Sequence, residues 1–186
     1  MKRIVIIFIA VILLSGCLEQ EQEKEIKSIM IPGHGQQVYE FSYDIKKSLA
    51  IYSNDPVGIK GLVWNSSKIN IVFNGSNEDD NAYFRVVLIN TINKLQAFFA
   101  YEGKLIDYDT FYFVDGQWYN ESIDKINKTE FSDTVIWLVG PNTGAKETAV
   151  NIEGNIIYIQ GTSYENMVLA GDKFALIVMG VERIEK

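Results

Sequence analysis

Asp107-Tyr108-Asp109 sets two carboxylates at i and i+2, on one face of any strand that holds them. Paired carboxylates are the equipment of general acid–base work and of glycoside hydrolysis. Tyr112, Trp118 and Tyr119 follow close behind, and rings of this kind stack on the apolar face of a sugar. Asp107, Asp109, Tyr112, Trp118 and Tyr119 therefore form one candidate ligand site. The competing use of the same rings is plain core filling and cross-strand pairing. A second cluster, Asn74-Gly75-Ser76-Asn77-Glu78-Asp79-Asp80-Asn81, is dense in side-chain oxygens. Calcium takes six to eight oxygen ligands on flexible loops, so Asn77, Asp79 and Asp80 are candidate metal ligands. Their spacing matches no EF-hand loop, and a polar loop that caps a helix explains the cluster without metal. No other cofactor is indicated.

Gly140-Pro141-Asn142-Thr143-Gly144 offers a glycine loop after an apolar run, but it lacks the Gly-Lys-Ser/Thr ending of a phosphate loop. His34 is the only histidine and sits in the turn-rich Ile31-Pro32-Gly33-His34-Gly35. Any Ser-His-Asp or Cys-His centre would have to use it, and a His-based zinc site lacks ligands. It reads as an exposed turn residue. No convincing catalytic constellation emerges, so the expectation is a protein that is not an enzyme.

The clearest signal lies at the start. Met1-Lys2-Arg3 is basic, Ile4 to Leu14 is unbroken apolar, and Leu14-Ser15-Gly16-Cys17 follows. That is the layout of a secretory signal peptide. Eleven apolar residues make about 16 Å of helix, short of the roughly 30 Å hydrocarbon core of a bilayer. The Leu-Ser-Gly-Cys end resembles the lipobox of prokaryotic lipoproteins. The resemblance covers only the export segment. It implies that residues 1–16 are removed, that Cys17 carries a lipid, and that the protein sits on the cell membrane facing outside the cytoplasm. Cys17 is the only cysteine, so the domain folds without disulfides and depends on its core.

Residues 17–30 read as the lipidated cysteine and a polar, acidic tether, and residues 31–186 as one globular domain. The formal charge of −7 becomes −9 once Lys2 and Arg3 are gone. Such acidity excludes nucleic acid as a partner. The expected partners are the membrane, through Cys17, and an envelope protein or glycan. Asn65, Asn74, Asn120 and Asn127 each begin an Asn-x-Ser/Thr sequon. With the lipobox they fit an archaeal envelope glycoprotein, whereas a bacterium that leaves asparagine unmodified would use them as plain loops.

The elements that must position these residues read mostly as strands. Val38 to Tyr43, Leu49 to Tyr52, Gly61 to Trp64, Ile69 to Phe73 and Tyr108 to Val114 alternate or are β-prone. Asp115-Gly116 is a hairpin signal leading into Gln117-Trp118-Tyr119. Thr134 to Val139 has the continuous apolar character of a buried central strand. Glu153-Gly154 and Gly171-Asp172 read as turns of a closing antiparallel meander, the second between Met167–Ala170 and Phe174–Val181.

One segment has a different period. Phe84, Val87, Leu88, Thr91, Ile92, Leu95, Phe98 and Phe99 recur at helical spacing. Asp80 or Asn81 suits its start and Gly103 its end. The expected fold is α+β, a mainly antiparallel sheet with one long amphipathic helix at about 82–102. An all-β sandwich is the alternative if that segment forms strands. The function these features point to is a lipid-anchored, extracytoplasmic surface domain with a non-enzymatic binding or envelope role. A carbohydrate or small-ligand module using Asp107–Tyr119 is the alternative, and a carboxylate-based hydrolase the third reading.

Overall fold

The computed structural model describes residues 24–74, 78–114, 117–119 and 133–184. The protein is an α+β domain. Among the described residues, four helices share the larger core with one face of a seven-stranded mixed sheet. In chain order the elements are β1 (Ser28–Met30), β2 (Val38–Glu40), α1 (Ile45–Leu49), β3 (Tyr52–Ser53), α2 (Pro56–Asn65), β4 (Lys68–Asn74) and α3 (Glu78–Tyr101). Then follow β5 (Asp107–Val114), β6 (Gln117–Tyr119), β7 (Thr134–Val139), β8 (Ala149–Glu153), β9 (Ile156–Gln160) and α4 (Tyr164–Met179).

Local chemistry sets the helix ends. The Asp55 side chain accepts from Gly58 N at 2.8 Å, and Pro56 opens α2, where its missing N–H costs nothing. Ser163 caps α4 by accepting from Asn166 N, and Gly180 closes it in the left-handed region at φ 77°. Gly103, at φ 70°, ends α3 while Lys104 N reaches back to Phe99 O at 2.8 Å, as the sequence predicted.

The sheet order is β3-β8-β9-β7-β4-β5-β6. Strand periodicity sorts its residues onto two faces. Ile69, Ile71 and Phe73 of β4, Ile136 and Leu138 of β7, and Ile157 and Ile159 of β9 join the helical layer in the larger core. Val72, Phe111, Val135 and Ile156 form a second, smaller cluster on the opposite face, with no helical residue in it. β7 holds the middle of the sheet, as its apolar run indicated.

The sheet is mostly parallel rather than mainly antiparallel. β5, β4, β7 and β9 run side by side in one direction, and only β3, β8 and β6 oppose them. Two causes combine. α3 is a crossover that returns the chain from β4 to a parallel β5. The last two expected strands are instead one helix, α4, in which twelve of sixteen residues are buried. A helix buried all round has no amphipathic stripe to betray it. Gly171-Asp172 is not a turn but the point where α4 crosses α3: a Cβ on Gly171 would lie 2.8 Å from Thr91 Oγ1. Gly61–Trp64 belongs to α2, and Leu49 closes α1 before the two-residue β3. The long helix is real, spanning 78–101, and it rules out the sandwich.

Ile26 and β1, within the stretch read as tether, take part in the fold. The Ile26 carbonyl accepts from Ile45 N at 2.8 Å, and β1 pairs with β2.

Candidate functional site

The face opposite the helices changes character across its width. At β4 and β5 it is buried, with Val72 at 0% and Phe111 at 5% exposure. At β9 and β8 it opens. Register places Asn151, Tyr158, Trp137, Val72 and Phe111 in one row across five strands, and Tyr52, Ala149, Gln160 and Val139 in the next. Side chains in such rows stand side by side about 4.8 Å apart. At the open end they border a trough of about 780 Å³, lined by Tyr52, Asn54, Glu147, Asn151, Glu153, Tyr158 and Gln160 with Val139 and Ile152. That volume lies within the roughly 300–1,000 Å³ usual for small-ligand sites.

The trough is held by its own hydrogen bonds. Asn54 extends the β3 edge: its Nδ2 donates to Ile152 O at 3.0 Å and its Oδ1 accepts from Ile152 N at 2.9 Å. Asn151 Nδ2 donates to Glu147 Oε1 at 3.0 Å, which fixes that carboxylate. The amide oxygen of Asn151 has no partner among the described residues. Tyr52 is 60% exposed on the rim and Tyr158 is half-buried in the floor. Rings, amides and carboxylates in one open trough suit a ligand with an apolar face and a hydroxylated edge.

The residues singled out from sequence are distributed differently. Asp107 and Asp109 share this sheet face, as their i, i+2 spacing required, but at its far end. Asp109 stands in register with Asn70, Val135, Ile156 and Glu153, so four strand spacings, about 19 Å, separate it from Glu153. Lys68 Nζ lies 2.6 Å from Asp109 Oδ2, and that contact raises the lysine's pKa. The β5–β6 pairing sets Tyr112 opposite Tyr119 and Phe113 opposite Trp118. The side chains of Tyr112, Trp118 and Tyr119 lie outside the described residues. So do Cys17, Asn77, Asn120 and Asn127 and the side chain of Asn74; Asn65 is exposed at the end of α2.

The oxygen-rich cluster and the glycine loop meet. Order reverses between β4 and β7: β4 leads through α3 to β5 on one side, and β7 and β9 lie on the other. In parallel sheets this switch point is the usual ligand crevice. Here three connections close on one another. Asp80, in the first turn of α3, accepts from Asn142 Nδ2 at 2.9 Å and from the Tyr164 hydroxyl. The rings of Tyr83 and Tyr164 lie 4.2 Å apart. Asp80 is 1% exposed, and its bond to Tyr164 is the main cause that holds the phenol above its ordinary pKa. This carboxylate is a clasp between loops. Asp79 beside it is exposed. Among the described residues, no group of three or more His, Cys, Asp or Glu is placed to hold a metal ion.

His34 departs most from its sequence reading. It is 3% exposed. Its Nδ1 is 2.8 Å from the Tyr39 hydroxyl and its Nε2 is 2.6 Å from Glu102 Oε1. Phe98 and Tyr101 stack on its ring, centroids 5.0 and 4.3 Å away. Burial, with Glu102 and Tyr101 adding to it, raises the Tyr39 pKa. The imidazole is a packing and hydrogen-bonding element of the hairpin loop.

Sequence reasoning missed Tyr52, Glu147, Asn151, Glu153 and Tyr158 as a group. The usable signal was the alternation in Ile156-Ile157-Tyr158-Ile159-Gln160, which puts Tyr158 and Gln160 on the face away from Ile157 and Ile159. No family model, curated protein or solved structure matches this chain.

Proposed function

We propose that this is a lipid-anchored, extracytoplasmic binding domain that takes a saccharide of the cell envelope in the trough bordered by Tyr52 and Tyr158. The observation that carries the reading is the meeting of these two rings with Glu147, Asn151, Glu153 and Gln160 on an open sheet face. Aromatic faces suit the C–H side of a pyranose, and amides and carboxylates suit its hydroxyls. The resemblance of Leu14–Cys17 to a lipobox and the apolar run before it support a location outside the cytoplasm, where such ligands occur.

The reading is of binding rather than turnover. The single histidine is committed to Tyr39 and Glu102, and of the two trough carboxylates Glu147 is held by Asn151 Nδ2. It needs no metal, so EDTA leaves binding unchanged, and a calcium-dependent signal would instead favour the 74–81 loop.

The test is titration of the purified full-length protein with oligosaccharides released from its own envelope. Trp137 neighbours Tyr158 in register and is half-buried, so its fluorescence reports the trough. Saturable binding that Tyr158→Ala weakens at least tenfold, about 1.4 kcal/mol, supports the proposal. Binding that survives Tyr158→Ala and Tyr52→Ala moves the site elsewhere. No binding to any envelope glycan leaves a protein partner, to be sought by crosslinking in intact cells.

A further inference from the structure

The ends of the helices and the β1–β2 hairpin gather at one end of the molecule. Trp64, near the end of α2, donates Nε1 to Val178 O at 2.9 Å, near the end of α4. It also meets Phe98 and Phe99, near the end of α3, with centroids 5.7 and 5.4 Å away. His34 ties the hairpin loop to the same turn through Phe98, Tyr101 and Glu102.

Among the described residues, this end carries exposed apolar side chains. Met30 and Val38 form a cross-strand pair and are 65% and 46% exposed. Tyr101 and Leu105, where α3 finishes, are 52% and 89% exposed. Between the hairpin and the segment after α4 runs a groove of about 640 Å³, with Ile31 and Pro32 on one wall and, on the other, half-buried Val181 and Ile184 flanking the exposed Glu182 and Arg183. Contiguous exposed apolar surface marks an interaction site.

The path of the chain says what covers it. Ile26 is held by Asp44 Oδ1 through its N–H at 3.3 Å, and it lies nine positions after Cys17. Fully extended, that stretch reaches about 30 Å, so a lipid on Cys17 keeps the domain that close to the bilayer. β1 then runs from Ile26 toward the apolar end. With residues 1–16 removed, loss of Lys2 and Arg3 takes the net charge from −7 to −9, so the protein as a whole is not drawn to anionic headgroups and burial of apolar side chains is the available attraction.

We propose that the β1–β2 hairpin and the segment after α4 rest on the bilayer that holds the Cys17 lipid, with Met30 and Val38 among the headgroups. This rests on the lipid-anchor reading. It leaves the Asp80–Tyr164 end of the domain pointing away from the membrane.

The experiment uses full-length protein extracted from membranes, with intact mass reporting the lipid on Cys17. Val38→Cys and Lys146→Cys variants, the latter in the loop after β7, each carry an environment-sensitive fluorophore and are reconstituted into phosphatidylcholine vesicles. The expected result is a blue shift for the label at 38, absent for the label at 146. A Leu105→Cys label should also shift, and lose that shift when Met30→Asp and Val38→Asp are added to a protein whose Tm shows it still folded. A lipidated protein whose label at 38 stays water-like overturns the docking alone. A mass without lipid overturns the anchor and the docking with it.

Discussion

His34 Nε2 stands 2.6 Å from Glu102 Oε1, across 68 positions of sequence. With Tyr39 on the other ring nitrogen, this contact joins a loop of the N-terminal hairpin to the last turn of the longest helix. The cost of breaking it follows from burial. His34→Ala leaves a cavity between Phe98 and Tyr101 and strips Tyr39 and Glu102 of a partner. Unfolding by urea should show a loss of about 2–4 kcal/mol. A loss under about 0.5 kcal/mol would mean the His34 contacts contribute nothing to the domain's stability.

Lys94 and Asp172 form a pair between α3 and α4, N to O 3.3 Å, with side chains 11% and 2% exposed. Desolvation raises the Asp172 pKa above its ordinary 3.8, although Lys94 pulls the other way. The stability from this group is therefore fullest below pH 3.8 and declines as pH rises through the raised value. Lys94→Met should cost about 3 kcal/mol at pH 7, and the penalty should shrink toward acid pH as Asp172 takes up a proton. Lys94→Met with Asp172→Leu should unfold within about 1 kcal/mol of the parent protein or above it. A pH-independent Lys94→Met penalty would show that Asp172 is not charged in the folded protein at neutral pH.

Gly171 and Thr91 define the crossing of those two helices. Alanine for glycine in an exposed helix interior stabilises by about 1 kcal/mol. At Gly171 the added Cβ meets Thr91 Oγ1 at 2.8 Å and Val87 Cγ1 at 3.1 Å, and Thr91 is held by its bond to Val87 O. Gly171→Ala should destabilise by about 1–3 kcal/mol. Adding Thr91→Ala should restore part of that loss, a coupling a double-mutant cycle would read. Strict additivity would place the two residues out of contact.

Tyr52 and Asp109 separate the structural site from the one the sequence suggested. Tyr52 is 60% exposed, so Tyr52→Ala should leave stability within about 0.5 kcal/mol while weakening saccharide binding about tenfold. Asp109→Asn, at the other end of the same face, should leave binding unchanged. The reverse pattern would return the site to Asp107–Tyr119.

Residues whose meaning is local were legible in advance. Period 3.6 through Phe84–Phe99 and the glycine at 103 marked α3 because an amphipathic helix must segregate its faces and then stop. The alternation of Asp107 and Asp109, the apolar run Thr134–Val139 and the Glu153-Gly154 turn marked β5, β7 and the β8–β9 hairpin for the same reason. The proposed export segment rests on composition and order alone.

What depends on long-range pairing was not legible. A buried helix such as α4 hides its period because every side meets protein, and only its ends, Ser163 and Gly180, carried a signal. Strand direction depends on how the chain crosses between strands, as α3 does from β4 to a parallel β5, and reading α4 as two further strands added antiparallel pairs that the sheet does not have. His34 looked exposed because its partners, Phe98, Tyr101 and Glu102, are brought to it by the return of α3. The trough borrows Tyr52, Glu147 and Tyr158 from three separated segments, and no spacing along a chain encodes a meeting that only the folded sheet creates.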